Sequence, residues 1–215
     1  DFAFTERNGS FTSPGSVQDI DNAGTINGIV DTGLNADDVQ NTGVINGMVA
    51  LGEGADTYVG LGTLNGVLYG GFGVDTITGG SSVDVFKGEE GNDIIDGGGG
   101  ADMLDGGHGA DMLTGGSGAD KLYGGYEDDV LFGGDGDDEL DGWQGADTIH
   151  GDAGADTVVI SSAAFSTGAT FDTLVGFDFA ADRIRLAAAP TAINAQVAGG
   201  ALSEATFAAD VAATL

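Results

Sequence analysis

From Gly70 onward an apolar residue returns at every ninth position: Ile77, Phe86, Ile95, Leu104, Leu113, Leu122, Leu131, Leu140, Ile149 and Val158. One apolar position in nine is too sparse for an amphipathic helix, whose buried stripe takes three or four residues in every two turns. It suits very short strands that each send one side chain into a shared core. Two positions before each of these residues stands an aspartate: Asp75, Asp84, Asp93, Asp102, Asp111, Asp120, Asp129, Asp138, Asp147 and Asp156. The chain realigns on itself as GGFGVDTIT, GGSSVDVFK, GEEGNDIID, GGGGADMLD and six further units ending in GDAGADTVV. Self-similarity at a short fixed period is the mark of a solenoid, whose units bury their core only by stacking on one another.

Upstream the period lengthens to 19. Gly24, Gly43 and Gly62 open three segments in register, Asn27, Asn46 and Asn65 recur at the same interval, and Asp37, Asp56 and Asp75 do likewise. Each 19-residue unit reads as a modified pair of nonapeptides plus one residue, with the solenoid starting near Gly24. The asparagines are expected to stack their amides as a structural ladder. Residues 1–23 and 160–215 lie outside the repeat and read as caps, which a solenoid needs to cover its core and strand edges. In the second, FDTLVGFDFAADRIRL alternates like strands, and the last stretch reads as a helix, with Ser203 as N-cap, Leu202 stapled to Phe207, and Phe207, Val211 and Leu215 on one face. The expected divisions are thus 1–23, an N-terminal arm or cap; 24–69, divergent 19-residue repeats; 70–159, the nonapeptide solenoid; and 160–215, a cap with strands and a terminal helix.

Composition narrows the chemistry. The 215 residues include 42 glycines, 35 acidic and five basic residues, two prolines and no cysteine, for a formal charge of −30. Two prolines and no Gly-X-Y period exclude a collagen-like chain, and 41% hydrophobic content argues against plain disorder. So negative a chain repels nucleic-acid phosphates and anionic membranes, and its natural partners are cations. Without cysteine there are no disulfides and no thiolate metal sites. The opening DFAFTERNGS has neither a methionine nor a signal-like segment, and reads as a processed chain or a fragment.

The consensus G-G-x-G-x-D-x-U-x, in ten tandem copies, resembles the RTX, hemolysin-type calcium-binding family. The likeness is strong over residues 52–159 and weak over 24–51. It implies an all-β, right-handed parallel β-roll in which two nonapeptides make one 18-residue coil, with calcium held between successive turns on each edge. The residues fit that chemistry. Glycine reaches positive φ and folds carbonyls inward, and calcium takes six to eight oxygens from carboxylates and carbonyls, whereas zinc would ask for His or Cys. One edge is expected to carry Asp56, Asp75, Asp93, Asp111, Asp129 and Asp147, and the other Asp84, Asp102, Asp120, Asp138 and Asp156. By resemblance, main-chain oxygens of Gly97, Gly99, Gly100, Gly106, His108, Gly109, Gly115, Ser117, Gly118, Gly133, Asp135 and Gly136 complete the shells. Neighbouring pairs number five on one edge and four on the other, hence about nine calcium ions.

Several units depart from the consensus: Ser82 and Glu127 replace the fourth glycine, Glu89, Trp143 and Asp152 the second, and Leu51 the first. Asp172 and Asp182 match a distal motif of the family, but Gly176 and Ala180 do not, so the segment reads first as a plain strand cap. His108 and His150 are the sole imidazoles and read as exposed and inert. No HExxH, GxSxG or Ser/His/Asp constellation can be assembled, because the aspartates are committed to the repeat, so the chain is expected not to be an enzyme. Ile94, Met112 and Val130 on one face, and Val85 and Met103 on the other, are either scattered surface residues or a strip for a second copy or partner. An ice-binding array would need regular outward threonines, which these positions lack.

Without ions, the like-charged columns and thin core leave the chain largely unfolded by this reading, and calcium turns binding energy into folding energy. The expected function is a secreted, calcium-dependent structural protein of a surface layer, matrix or filament, with self-association or a cell-surface partner and no membrane span. The resemblance further implies type I secretion. The alternative is a folding and secretion module of a larger exported enzyme, toxin or adhesin.

Overall fold

The computed structural model describes residues 2–8, 11–12, 17–160, 172–186 and 196–198. The helix expected from Leu202 lies outside the described residues, as do the ends of both caps. Among the described residues all regular structure is strand, and no helix is long and apolar enough to cross a membrane. The strands described form two sheets, of thirteen and ten members, and every pairing among them is parallel.

Over residues 70–160 each 18-residue coil crosses from one sheet to the other and back. Met112–Ser117 lies in the first sheet, Lys121–Tyr126 in the second, and Val130–Asp135 in the first again, one coil further along. Register is set by the repeat: Leu113 pairs with Leu131, and Leu104 with Leu122. The period-nine residues therefore form two facing columns. Tyr58, Ile77, Ile95, Leu113, Leu131, Ile149 and Leu174 come from one sheet, and Leu68, Phe86, Leu104, Leu122, Leu140 and Val158 from the other, all buried. Thr173–Val175 and Arg183–Leu186 continue the two sheets beyond the repeat, as their alternation predicts.

The 19-residue region is built differently. Half of each unit follows the nonapeptide, but the other half turns a corner and adds a third strand. Asp19–Asn27 pairs through Ile20 with Val39 of Asp38–Asn41 and through Ile26 with Ile45 of Val44–Asn46. The coil is three-sided there, with a third buried column of Ile26, Ile45 and Leu64. Asparagines hold its corners. Asn22 donates to Asn41 at 2.7 Å inside the core, and Asn65 to Asn46 to Asn27 at 2.8 and 2.7 Å outside it, which realises the amide ladder expected at 27, 46 and 65. The third column ends after Leu64. Tyr58 and Phe86, the two largest fully buried side chains, meet there edge to face with centroids 6.0 Å apart. The strand Asp19–Asn27 straddles Gly24, and Phe2–Asn8 pairs with it in parallel.

Candidate metal centres

The turns between strands bring the repeat aspartates to the two edges. Burial of these carboxylates is nearly complete, from 0% exposure at Asp75 and Asp147 to 3% at Asp84. In each, one oxygen is accounted for. The amide of Asp75 donates to Oδ1 of Asp93 at 2.8 Å, that of Asp93 to Asp111 at 2.8 Å, and that of Asp111 to Asp129 at 2.9 Å. On the other edge Asp84, Asp102, Asp120 and Asp138 donate in the same way to Asp102, Asp120, Asp138 and Asp156. Oδ1 thus stitches each coil to the one before it. Oδ2 is buried without a hydrogen-bond partner in Asp37, Asp56 and all ten nonapeptide aspartates.

A dozen buried, orphaned carboxylate oxygens would cost far more than a folded chain tolerates, unless a cation or proton answers them. The glycine at the head of each turn makes room for one. A Cβ on Gly88 would lie 2.2 Å from Asp93 Oδ2 and 2.5 Å from the Gly106 carbonyl oxygen; at Gly115 the same distances, to Asp120 and Gly133, are 2.5 and 2.6 Å. The missing methyl is the space into which a carboxylate and a main-chain oxygen of the next coil both point. Among the described residues no three His, Asp or Glu side chains gather at one point, so an ion here takes most of its oxygens from the main chain. A hard cation content with carbonyls fits that donor set.

Seven of the twelve main-chain oxygens expected to help fall into two groups. Gly97, Gly106, Gly115 and Gly133 direct their carbonyls at the head glycine of the preceding coil on the same edge. Those of His108, Ser117 and Asp135 accept the amides of Gly91, Gly100 and Gly118, which leaves each one lone pair. Gly99, Gly100, Gly109, Gly118 and Gly136 lie in the same turns. At Glu127 the pattern changes, because its carboxylate accepts the Gly109 amide at 2.8 Å.

Burial raises every one of these acids, and in most of them repulsion from like-charged neighbours adds to it. Asp84, Asp93, Asp102 and Asp138 are pushed up to about 6, and Asp56, Asp111 and Asp147 to about 7. Asp129 reaches about 8, from burial first and then repulsion from Asp111, Asp147 and Glu127. Asp75, Asp120 and Asp156 are raised by burial as well.

Two features escape the nonapeptide count. Asp147 donates to Asp172 Oδ1 at 3.3 Å and Asp156 to Asp182 Oδ1 at 3.1 Å, so both columns run on into the segment read as a plain strand cap. Their spacings of 25 and 26 residues hide them from a period of 18. At the other end Asp37 Oδ1 accepts the Gln18 amide, and Asp56 Oδ1 that of Asp37. There Thr32 and Leu51 replace the head glycine, and Leu51 is fully buried in the core, so these two turns lack the vacated space.

The histidine rings pack on aromatic neighbours, His108 exposed as expected and His150, contrary to expectation, half-buried. His108 stacks on Tyr126 at 4.3 Å and His150 on Phe132 at 4.5 Å. Ile94, Met112 and Val130 fall side by side on the outside of the first sheet, with Ile94 and Met112 exposed.

With this geometry in hand, comparison with known proteins is informative. A family model for the RTX calcium-binding nonapeptide repeat matches residues 51–86, 62–95, 69–104, 88–122 and 123–158. No curated protein and no solved structure matches the chain.

Proposed function

The chain belongs to the RTX calcium-binding nonapeptide-repeat family, and on that premise we propose that it is a secreted structural protein whose β-roll folds on calcium outside the cell. The observation that carries the reading is the pair of aspartate columns, each with a buried carboxylate oxygen that nothing in the protein answers. Calcium would be held between successive turns by Asp75, Asp93, Asp111, Asp129 and Asp147 on one edge, and by Asp84, Asp102, Asp120, Asp138 and Asp156 on the other. It would supply positive charge to oxygens that the fold has already gathered. About eight ions would fill the intervals from Asp75 to Asp147 and from Asp84 to Asp156, one fewer than the repeat count, because Leu51 occupies the space of the interval between Asp56 and Asp75. Asp172 and Asp182 offer one further interval at the end of each column.

Binding only the folded state, the ions shift folding by mass action, so the chain stays open at cytosolic calcium and closes at the ~10⁻³ M met outside the cell. This order suits export through a narrow type I channel before folding. The regular, elongating repeat of the columns supports a scaffold role in a surface layer, matrix or filament. The strip of exposed Ile94 and Met112 and half-buried Val130 supports contact with a second copy.

Circular dichroism and light scattering during one calcium titration, from chelator to ~10 mM, test both parts. A cooperative gain of β signal with rising scattering is expected. Folding without scattering would move the role to a folding module of a larger exported enzyme, toxin or adhesin. A β signal already complete in chelator would overturn the calcium-driven mechanism.

A further inference from the structure

The two edges of the solenoid differ in what their turns show to solvent. On the edge of Asp84 the third turn position carries Ser81, Gly99, Ser117, Asp135 and Ala153; on the edge of Asp75 it carries Phe72, Glu90, His108, Tyr126 and Gln144. Phe72, Glu90 and His108 are consecutive in register on adjacent coils. They open onto a cleft lined also by Lys87, Glu89 and Asp105. Neither this cleft nor its side chains belong to the metal columns, whose carboxylates are buried behind the turns.

We propose that this cleft binds a quaternary ammonium group, held between the rings of Phe72 and His108 and neutralised by Glu89 and Glu90. Three observations converge on it. Phe72 is 62% exposed, an apolar ring left in water beside carboxylates. His108 uses one ring face to stack on Tyr126, with planes only 5° apart, so its other face looks back along the column toward Glu90 and Phe72. Glu90 stands in the row between Phe72 and His108, one strand spacing of about 5 Å from each, so a cation paired with its carboxylate is flanked by both rings within the range of cation–π attraction.

The charge balance selects the ligand. Lys87 is held by Asp105 at 3.4 Å, which leaves Glu89 and Glu90 as the uncompensated charges of the lining. Glu89 has a φ of 77°, while its register partners on both sides are Gly71 and Gly107. A glycine would sit there without strain, so the carboxylate is carried at a conformational cost and has no side chain beside it in its own row. A compact ammonium such as that of lysine would keep its water shell; trimethylammonium sheds water readily and offers methyl groups to the rings.

The probe is choline, titrated to about 50 mM into the full chain in saturating calcium, with amide shifts read by NMR; this covers millimolar dissociation constants. Folding is checked first by circular dichroism, so a failure to fold is not mistaken for a failure to bind. Saturable shifts at Glu89, Glu90, Gly107 and His108 are expected, and 3,3-dimethyl-1-butanol, the uncharged isostere, should give none. Phe72→Ala and Glu89→Gly should each weaken binding by about fivefold or more. Glu89→Gly also relaxes the backbone, so its thermal midpoint should hold or rise, which separates lost binding from lost structure. Retention on phosphatidylcholine vesicles that Phe72→Ala abolishes assigns a lipid headgroup; choline binding without retention assigns a soluble ligand. Equal shifts from the isostere, no saturation, or full affinity in Phe72→Ala would overturn the proposal.

Discussion

Each repeat aspartate does two jobs with two oxygens. Oδ1 of Asp111 accepts the amide of Asp93 from the coil before, and Oδ2 faces the space left by Gly106. Asp111→Asn keeps the first and loses charge at the second. Its calcium midpoint for folding should therefore rise and bound calcium fall by about two ions, while ion-free stability does not drop; titration followed by circular dichroism and atomic absorption reads all three. Gly106→Ala attacks the space itself, since its Cβ would stand 2.3 Å from Asp111 Oδ2. It should weaken calcium binding in the interval between Asp111 and Asp129 even though no ligand is removed. Protons compete for the same oxygens. Unfolded aspartates titrate near 3.8, whereas Asp93, Asp111 and Asp129 are raised to about 6, 7 and 8 in the folded coil. Between these values the ion-free folded state holds more protons than the unfolded chain, so its stability falls as pH rises from about 4 to 8. In chelator the β signal should be stronger at pH 5 than at pH 8, and calcium added near pH 6.5 should release protons measurable in a pH-stat. A chelated chain that gains structure as pH rises would contradict this assignment.

At the scale of elements the solenoid has two constructions. Two-sided coils, from residue 70 onward, bury one apolar side chain per nonapeptide and place a carboxylate beside each. Three-sided coils bury a third column, Ile26, Ile45 and Leu64, and link their corners by asparagine amides rather than acids. More apolar area is removed from water per coil there, and fewer like charges oppose folding. In chelator at neutral pH, hydrogen exchange should accordingly find residual protection at Val39, Ile45 and Val49 but none at Leu113 or Leu131. Ile45→Ala should cost about 2 to 5 kcal/mol, read as a loss of that residual structure. The nonapeptide strands were legible because one apolar residue two places after an invariant aspartate admits few other structures. The third side was not. Its strands Val44–Asn46 and Thr63–Leu64 are two or three residues long, and a 19-residue period counts residues per coil, not corners. Likewise Asp172 and Asp182 follow the columns after irregular intervals, and only their register exposes them.

The whole molecule carries a formal charge of −30, and a large share of its 35 acids stands aligned along two edges. That distribution favours calcium over magnesium, which holds its waters and demands a tighter octahedron than carbonyl-lined turns provide. Magnesium at equal concentration should leave most of the β signal unformed, and 1 M sodium chloride should not replace calcium either, because screening relieves repulsion between exposed charges but leaves buried Oδ2 atoms unanswered. The amino-acid sequence by itself determined the solenoid and the spacing of its aspartates, because a period of nine fixes which residues recur, while the two-strand coil and calcium as the ion followed from the family resemblance that the repeat carries. Only the tertiary structure decided that Oδ1 is spent between coils while Oδ2 is not, that Leu51 fills the space other turns leave open, and that Phe72, Glu90 and His108 share one cleft. Those outcomes depend on which atoms of separate coils meet in space, and a repeat states the spacing of residues without stating the direction in which each side chain points.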